Sequence, residues 1–174
     1  SLWNIDTEWH TLIHRFVHRY NIDILHIHDL RLVSTGLAIA NKYDLPLVAD
    51  FHENYPALME MLKGKDDYEK GRKARKRWEK IEKYCAFKAD RVITVIDEAR
   101  DRLVLKGIRP HKISIIPNTV DVKKFETAQV SPKVSRRYEN DFLLTYVGYI
   151  NSNHRGIHTV IEAIAQLKDE IPNI

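Results

Sequence analysis

Ile22-Asp23-Ile24-Leu25-His26-Ile27-His28-Asp29 and Leu45-Pro46-Leu47-Val48-Ala49-Asp50-Phe51-His52 are the two stretches on which the fold turns. Each reads as a short β-branched strand that ends on polar, titratable side chains. Pro46 suits only the first position of the second strand, because a proline cannot donate to a sheet ladder. Between the two, Leu32–Lys42 carries apolar residues at helical spacing. Strand, helix and strand in that order predict a parallel crossover unit.

The same alternation extends outward. Leu12, Ile13, Phe16, Val17 and Tyr20 predict a helix over roughly Asp6–Tyr20. After Pro56 a long polar, mostly helical region runs to about Ala89, loosened at Gly64 and Gly71. Val92–Ile96 is a third strand, followed by a helix that Asp97 can cap and Gly107 ends. Ile113–Ile116 is a fourth strand, stopped by Pro117. Phe142–Val147 is read as a fifth strand and Gly156–Lys168 as a closing helix.

This pattern predicts an α/β class with a doubly wound, Rossmann-like parallel sheet. Residues 127–140, with Thr127, Ala128, Ser131, Pro132 and Ser135 among mixed charges, read as a linker. Three segments result: 1–126 as one domain, 127–140 between, and 141–174 as the first strand and helix of a second. A single strand and helix cannot bury their faces alone, so the second domain is expected to be incomplete.

The 174 residues suffice for one domain or parts of two. An apolar share of 44% is normal for a globular core. No apolar run approaches the ~18–20 residues that cross a bilayer. The first residues, Ser1-Leu2-Trp3-Asn4, lack a secretory-signal layout. Cys85 is the only cysteine, which excludes an internal disulfide and fits a reducing cytoplasm. Net charge is +4, yet Lys63–Lys88 holds eleven Lys or Arg against five Asp or Glu. The basicity is therefore local.

Open α/β sheets bind ligands beyond the carboxyl ends of their strands. Here those ends carry His28-Asp29, His52-Glu53-Asn54, Ile96-Asp97, Pro117-Asn118 and Gly148. They also carry a resemblance. Asp23–Asp29, Leu47–Asn54, Ala89–Val95, Ile115–Asp121 and Tyr146-Val147-Gly148 with His154-Arg155-Gly156 stand in the order and spacing of the group 1 glycosyltransferases (family 4). Such enzymes have two Rossmann-like domains, the GT-B fold.

The resemblance implies retaining transfer of a sugar from a nucleotide-sugar donor to a saccharide or lipid-linked acceptor, with no cofactor and no obligatory metal. It places the acceptor on the N-terminal domain and the donor on the C-terminal one. His52 is implied as the catalytic group near the transferred sugar, with His28, Asp29, Glu53 and Asn54 in the acceptor cleft. Gly148, Arg155 and Gly156 are implied as donor-phosphate contacts. Arg155 stands where many members have Lys, and Tyr149 where many have Arg. The family's Gly-rich loop is expected before Ser1 and its paired-glutamate motif beyond Ile174, so a fragment inactive alone is expected. A nucleotide-sugar epimerase, a phosphorylase or a non-catalytic sugar-binding module are the alternatives.

Other features weigh less. His10, His14 and His18 share a helix face that could bind a metal, but a solvated face is the plainer reading, and no metal ligand is assigned. Cys85 lines up with Trp78 and Ile81 as core. Residues 70–88 join an apolar stripe (Ala74, Trp78, Ile81, Cys85) to a dense basic face, which could meet an anionic membrane. No aromatic interleaving or binding motif accompanies the charge, so nucleic acid is not an expected partner. Neither a dinucleotide fingerprint nor a phosphate-binding loop occurs in the chain.

Overall fold

A computed structural model describes residues 5–129, 131–140, 142–148, 150, 155–168 and 170–171. It divides into two units, residues 1–119 and 120–174. The first holds helix α1 (Thr7–Arg19), strand β1 (Leu25–His28), α2 (Leu30–Tyr43), β2 (Leu47–Phe51), α3 (Tyr55–Gly64), α4 (Tyr68–Lys88), β3 (Arg91–Thr94), α5 (Asp97–Leu105) and β4 (Ile113–Ile115). The second holds α6 (Val122–Glu126), α7 (Pro132–Arg137) and α8 (Ile157–Leu167).

The four strands form one parallel sheet in the order β1-β2-β3-β4. Strands added in one direction through right-handed crossovers carry their helices on the same face. Burial agrees with that rule. Leu47, Ala49, Phe51, Val92 and Thr94 point into the helix layer and are buried, whereas Arg91 and Ser114 on the other face are exposed and Val48 and Ile93 half-buried. Gly36 lets α2 approach closely: a Cβ there would stand 2.6 Å from Ile27 Cγ1. Asp90 fixes the start of the ladder, its carboxylate accepting from the Leu47 N–H at 2.8 Å.

The long basic region is two helices, not one loosened run. Asp67 caps α4 by accepting from the Lys70 N–H. Gly71 lies inside α4 and does not loosen it. It is the point where α4 crosses α3, since a Cβ there would fall 2.6 Å from both Glu60 O and Gly64 Cα. The expected apolar stripe packs inward: Trp78, Ile81 and Cys85 are buried. Trp78 meets the Tyr55 ring edge-on at 4.5 Å between centroids. Beside them Glu82, only 1% exposed, takes both Arg102 nitrogens at 2.5 and 2.9 Å and Lys106 Nζ at 2.6 Å, which clamps α5 onto α4.

Three expectations change in detail. Asp97 is the first residue of α5 rather than its cap; Ile96 holds the cap position without a side-chain bond. Asp97 still favours the helix by placing a carboxylate at its positive end and pairing with Arg100 at 2.8 Å. Residues 142–147 form no strand. A strand must satisfy its N–H and C=O groups on a neighbour, and the second unit has no other strand among its described residues. The segment read as a linker contains α7, and no described residue of the second unit is buried.

Candidate functional site at the strand ends

In parallel register His28 stands opposite Asp50. Because side chains alternate along a strand, His26 and His28 of β1 share one face with Asp50 of β2, and His52, the residue after β2, stays beside them. That face lies opposite the buried Leu47, Ala49 and Phe51, and His26 and His28 line a pocket with Trp9, Leu12 and Phe16 of α1. Asp50 is only 6% exposed. Its Oδ2 lies 3.1 Å from His26 Nε2 and 3.4 Å from His28 Nδ1, and its Oδ1 lies 3.4 Å from His52 Nε2. His28 Nδ1 and His52 Nε2 are 2.9 Å apart. The His26, His28 and His52 rings stack in series, with centroids 4.4 and 5.2 Å apart.

This geometry constrains the chemistry. A hydrogen bond between two ring nitrogens needs one donor and one acceptor, so His28 and His52 cannot both be imidazolium while they share it. One neutral imidazole is therefore held in place by a carboxylate, with its ring partly open to solvent. Such a group can accept a hydrogen bond or proton from a hydroxyl, or steady a developing positive charge. Asp50 Oδ1 accepts no hydrogen bond among the described residues. A buried carboxylate oxygen without a donor costs about 1–3 kcal/mol or more, a strain tolerated at sites built for ligands.

Asp29 adds a second mark of strain. Its φ of 64° with ψ of 131° lies outside the left-handed helical well, a conformation costing on the order of 1–3 kcal/mol. It turns the chain from β1 into α2 while its N–H donates to Asp50 O at 2.9 Å. Burial raises the Tyr55 phenol above its ordinary pKa; Arg31 lowers it, while Asp29 and Glu53 both raise it further. The two carboxylates thus act on one place at the strand ends. Glu53 and His52 also line a depression of about 160 Å³ together with Ile96 and Arg102. Asn54 lines it too, but its side-chain oxygen is committed to capping α3, where it accepts from the Ala57 N–H.

Gly148, Arg155 and Gly156 belong to the second unit. Gly156 has φ +68° immediately before α8, a backbone that favours glycine. Tyr149 and His154 lie outside the described residues. Of the α1 histidines, His14 serves docking: it bonds the Tyr43 hydroxyl of α2. Burial pushes the Cys85 thiol up to about 11, so it is no nucleophile near neutral pH.

Two members of the cluster escape a reading of the sequence as strand ends. Asp50 sits inside an apolar strand and reads as part of it, and His26 lies one pleat before the end and reads as an edge plug. The signal was a carboxylate interrupting Leu47-Val48-Ala49-Asp50-Phe51, which a strand buried among apolar neighbours admits only with partners.

No described helix is long and apolar enough to cross a membrane. A search of curated proteins finds no match. Residues 2–124, which contain all four strands and the whole histidine cluster, match the family model of Glycosyltransferase Family 4. The chain belongs to that family, as a glycosyltransferase-like module on a Rossmann-like parallel sheet.

Proposed function

We propose that the chain is the acceptor-side module, with the opening of the donor-binding domain, of a retaining glycosyltransferase that moves a sugar from a nucleotide-sugar to a saccharide or lipid-linked acceptor. The observation that carries this reading is the His28–His52 pair, held on buried Asp50 and open to solvent at the strand ends. His52 is the group nearest the transferred sugar. Its imidazole accepts from a sugar hydroxyl and steadies charge at the reacting carbon, with Asp50 balancing that charge from behind. Asp29 and Glu53 orient the acceptor hydroxyl. Arg155, with a forked guanidinium suited to a diphosphate, takes the donor phosphates near Gly148 and Gly156. The chemistry asks for no cofactor and no obligatory metal.

The second unit buries none of its described residues, so donor binding needs more structure than it supplies. Given a panel of nucleotide-sugars and acceptors, the 174-residue chain is expected to show no turnover, and the chain joined to a complete donor domain is expected to transfer. Turnover by the chain alone would contradict the division of labour. Binding of acceptor without transfer by the joined protein would favour a sugar-binding module.

We place the protein at the cytoplasmic membrane surface through residues 70–88. The apolar stripe of α4 faces the core, while Arg72, Lys73, Lys76, Lys80 and Lys83 remain exposed. Contact with lipid is then chiefly electrostatic. The protein should co-sediment with vesicles rich in anionic lipid, ignore neutral ones and detach as salt rises, because exposed charges are screened beyond ~10 Å at 0.1 M. Arg72, Lys73, Lys76 and Lys80 all changed to Gln should abolish binding without altering the fold. Salt-insensitive binding, or none, would leave α4 as an ordinary docked helix.

A further inference from the structure

We propose that His26 Nε2, His28 Nδ1 and Asp50 Oδ2 form a binding site for a borderline divalent transition-metal ion, with Zn²⁺ as its natural probe. The three residues bring one ligand atom each to within 4.8 Å of one another. Zinc bonds of about 2.0–2.1 Å set tetrahedral ligand atoms about 3.3–3.4 Å apart. The two imidazole nitrogens already stand 3.1 and 3.4 Å from the shared carboxylate oxygen. They are carried by a paired register of adjacent strands, not by a loop, so the backbone frame is in place and the stacked rings need only turn toward the ion.

The electrostatics point the same way. Asp50 is buried, its Oδ1 has no hydrogen bond, and its ion-pair neighbours among the described residues are three histidines, each charged only when protonated. Among the described residues no Lys or Arg pairs with this carboxylate. A divalent ion would, and two imidazoles with one carboxylate select Zn²⁺, Ni²⁺ or Cu²⁺ over Mg²⁺ or Ca²⁺. Side chains of His26 and His28 that are 45% and 58% exposed leave an entry path. His52 Nε2, 2.9 Å from His28 Nδ1, can enter as a further ligand. An ion held there would occupy imidazoles that the proposed transfer uses, so on that reading it inhibits rather than assists. The site itself does not depend on that reading.

Zn²⁺ competition between the untagged 174-residue chain and a chromophoric chelator tests the site, with the visible absorption of bound Co²⁺ reporting nitrogen and oxygen ligands. One ion per chain should bind, unmoved by millimolar Mg²⁺. His26→Gln and Asp50→Asn should each weaken it at least about tenfold, since even an outer partner of a ligand is worth 10–100-fold. His26 is half-exposed, so its variant decides the matter even where Asp50→Asn disturbs folding. Replacing His10 and His18 together by Ala, which leaves the His14–Tyr43 bond in place, should leave zinc binding unchanged. Absence of stoichiometric binding overturns the proposal, as does binding that survives His26→Gln or disappears with His10 and His18.

Discussion

In a catalytically active protein carrying this chain, His52→Ala is expected to lower kcat by about 10²-fold or more, the usual scale for a positioned polar group at a reaction centre. Its thermal midpoint should hardly move. The His52 side chain is 34% exposed and its polar partners are His28 and Asp50. Arg155→Ala should act differently, raising the KM for the donor with a smaller effect on kcat. Steady-state kinetics on both variants separates the two roles. Activity of His52→Ala within threefold of the unaltered protein would make this histidine structural.

The second large effect concerns stability. Trp78→Ala should destabilise the first unit by about 3–5 kcal/mol, the range for large buried aromatics. Trp78 is 7% exposed and lies edge-on to Tyr55, the residue that follows His52-Glu53-Asn54 into α3. The ring therefore supports the loop carrying the site as well as the core. Chemical denaturation monitored by far-ultraviolet circular dichroism gives the loss directly. A change below about 1 kcal/mol would mean that the pocket around Trp78 collapses freely or is not packed as described.

The strands were legible because each is a compact apolar run between breakers, but their ends were not. Ile22 and Ile24 extend the apolar pattern of the first strand, yet the ladder begins at Leu25, opposite the first unprolinated position of β2. Pairing sets a strand's limits, and pairing is not local. Phe142–Val147 shows the same rule in the extreme: the residues favour a strand, and the described unit offers no partner. Gly71 misled for a related reason. Read alone, a glycine weakens a helix; read against Glu60 and Gly64, it is the only residue type that lets two helices cross so closely.

For the site, sequence position at strand ends sufficed to pick out His28 and His52, which the register brings to hydrogen-bonding distance. It did not pick out Asp50, whose burial makes it resemble core until the three imidazoles around it are seen. Nor could it show that Asn54, which lines the depression beside Glu53, spends its side-chain oxygen on capping a helix. Both follow one strand in one short segment, and only side-chain partners distinguish them. The Glu82–Arg102–Lys106 clamp was equally silent, because a buried charge is recognisable only with its counter-charges in place.

The central claim, retaining sugar transfer by a family 4 module, is tested most directly by the anomeric configuration of the product. Proton NMR of the glycoside formed from an α-linked nucleotide-sugar and its acceptor reads it directly, because a glycosidic linkage does not anomerise spontaneously. The account predicts an α-linked product from the protein carrying this chain; a β-linked product would contradict it.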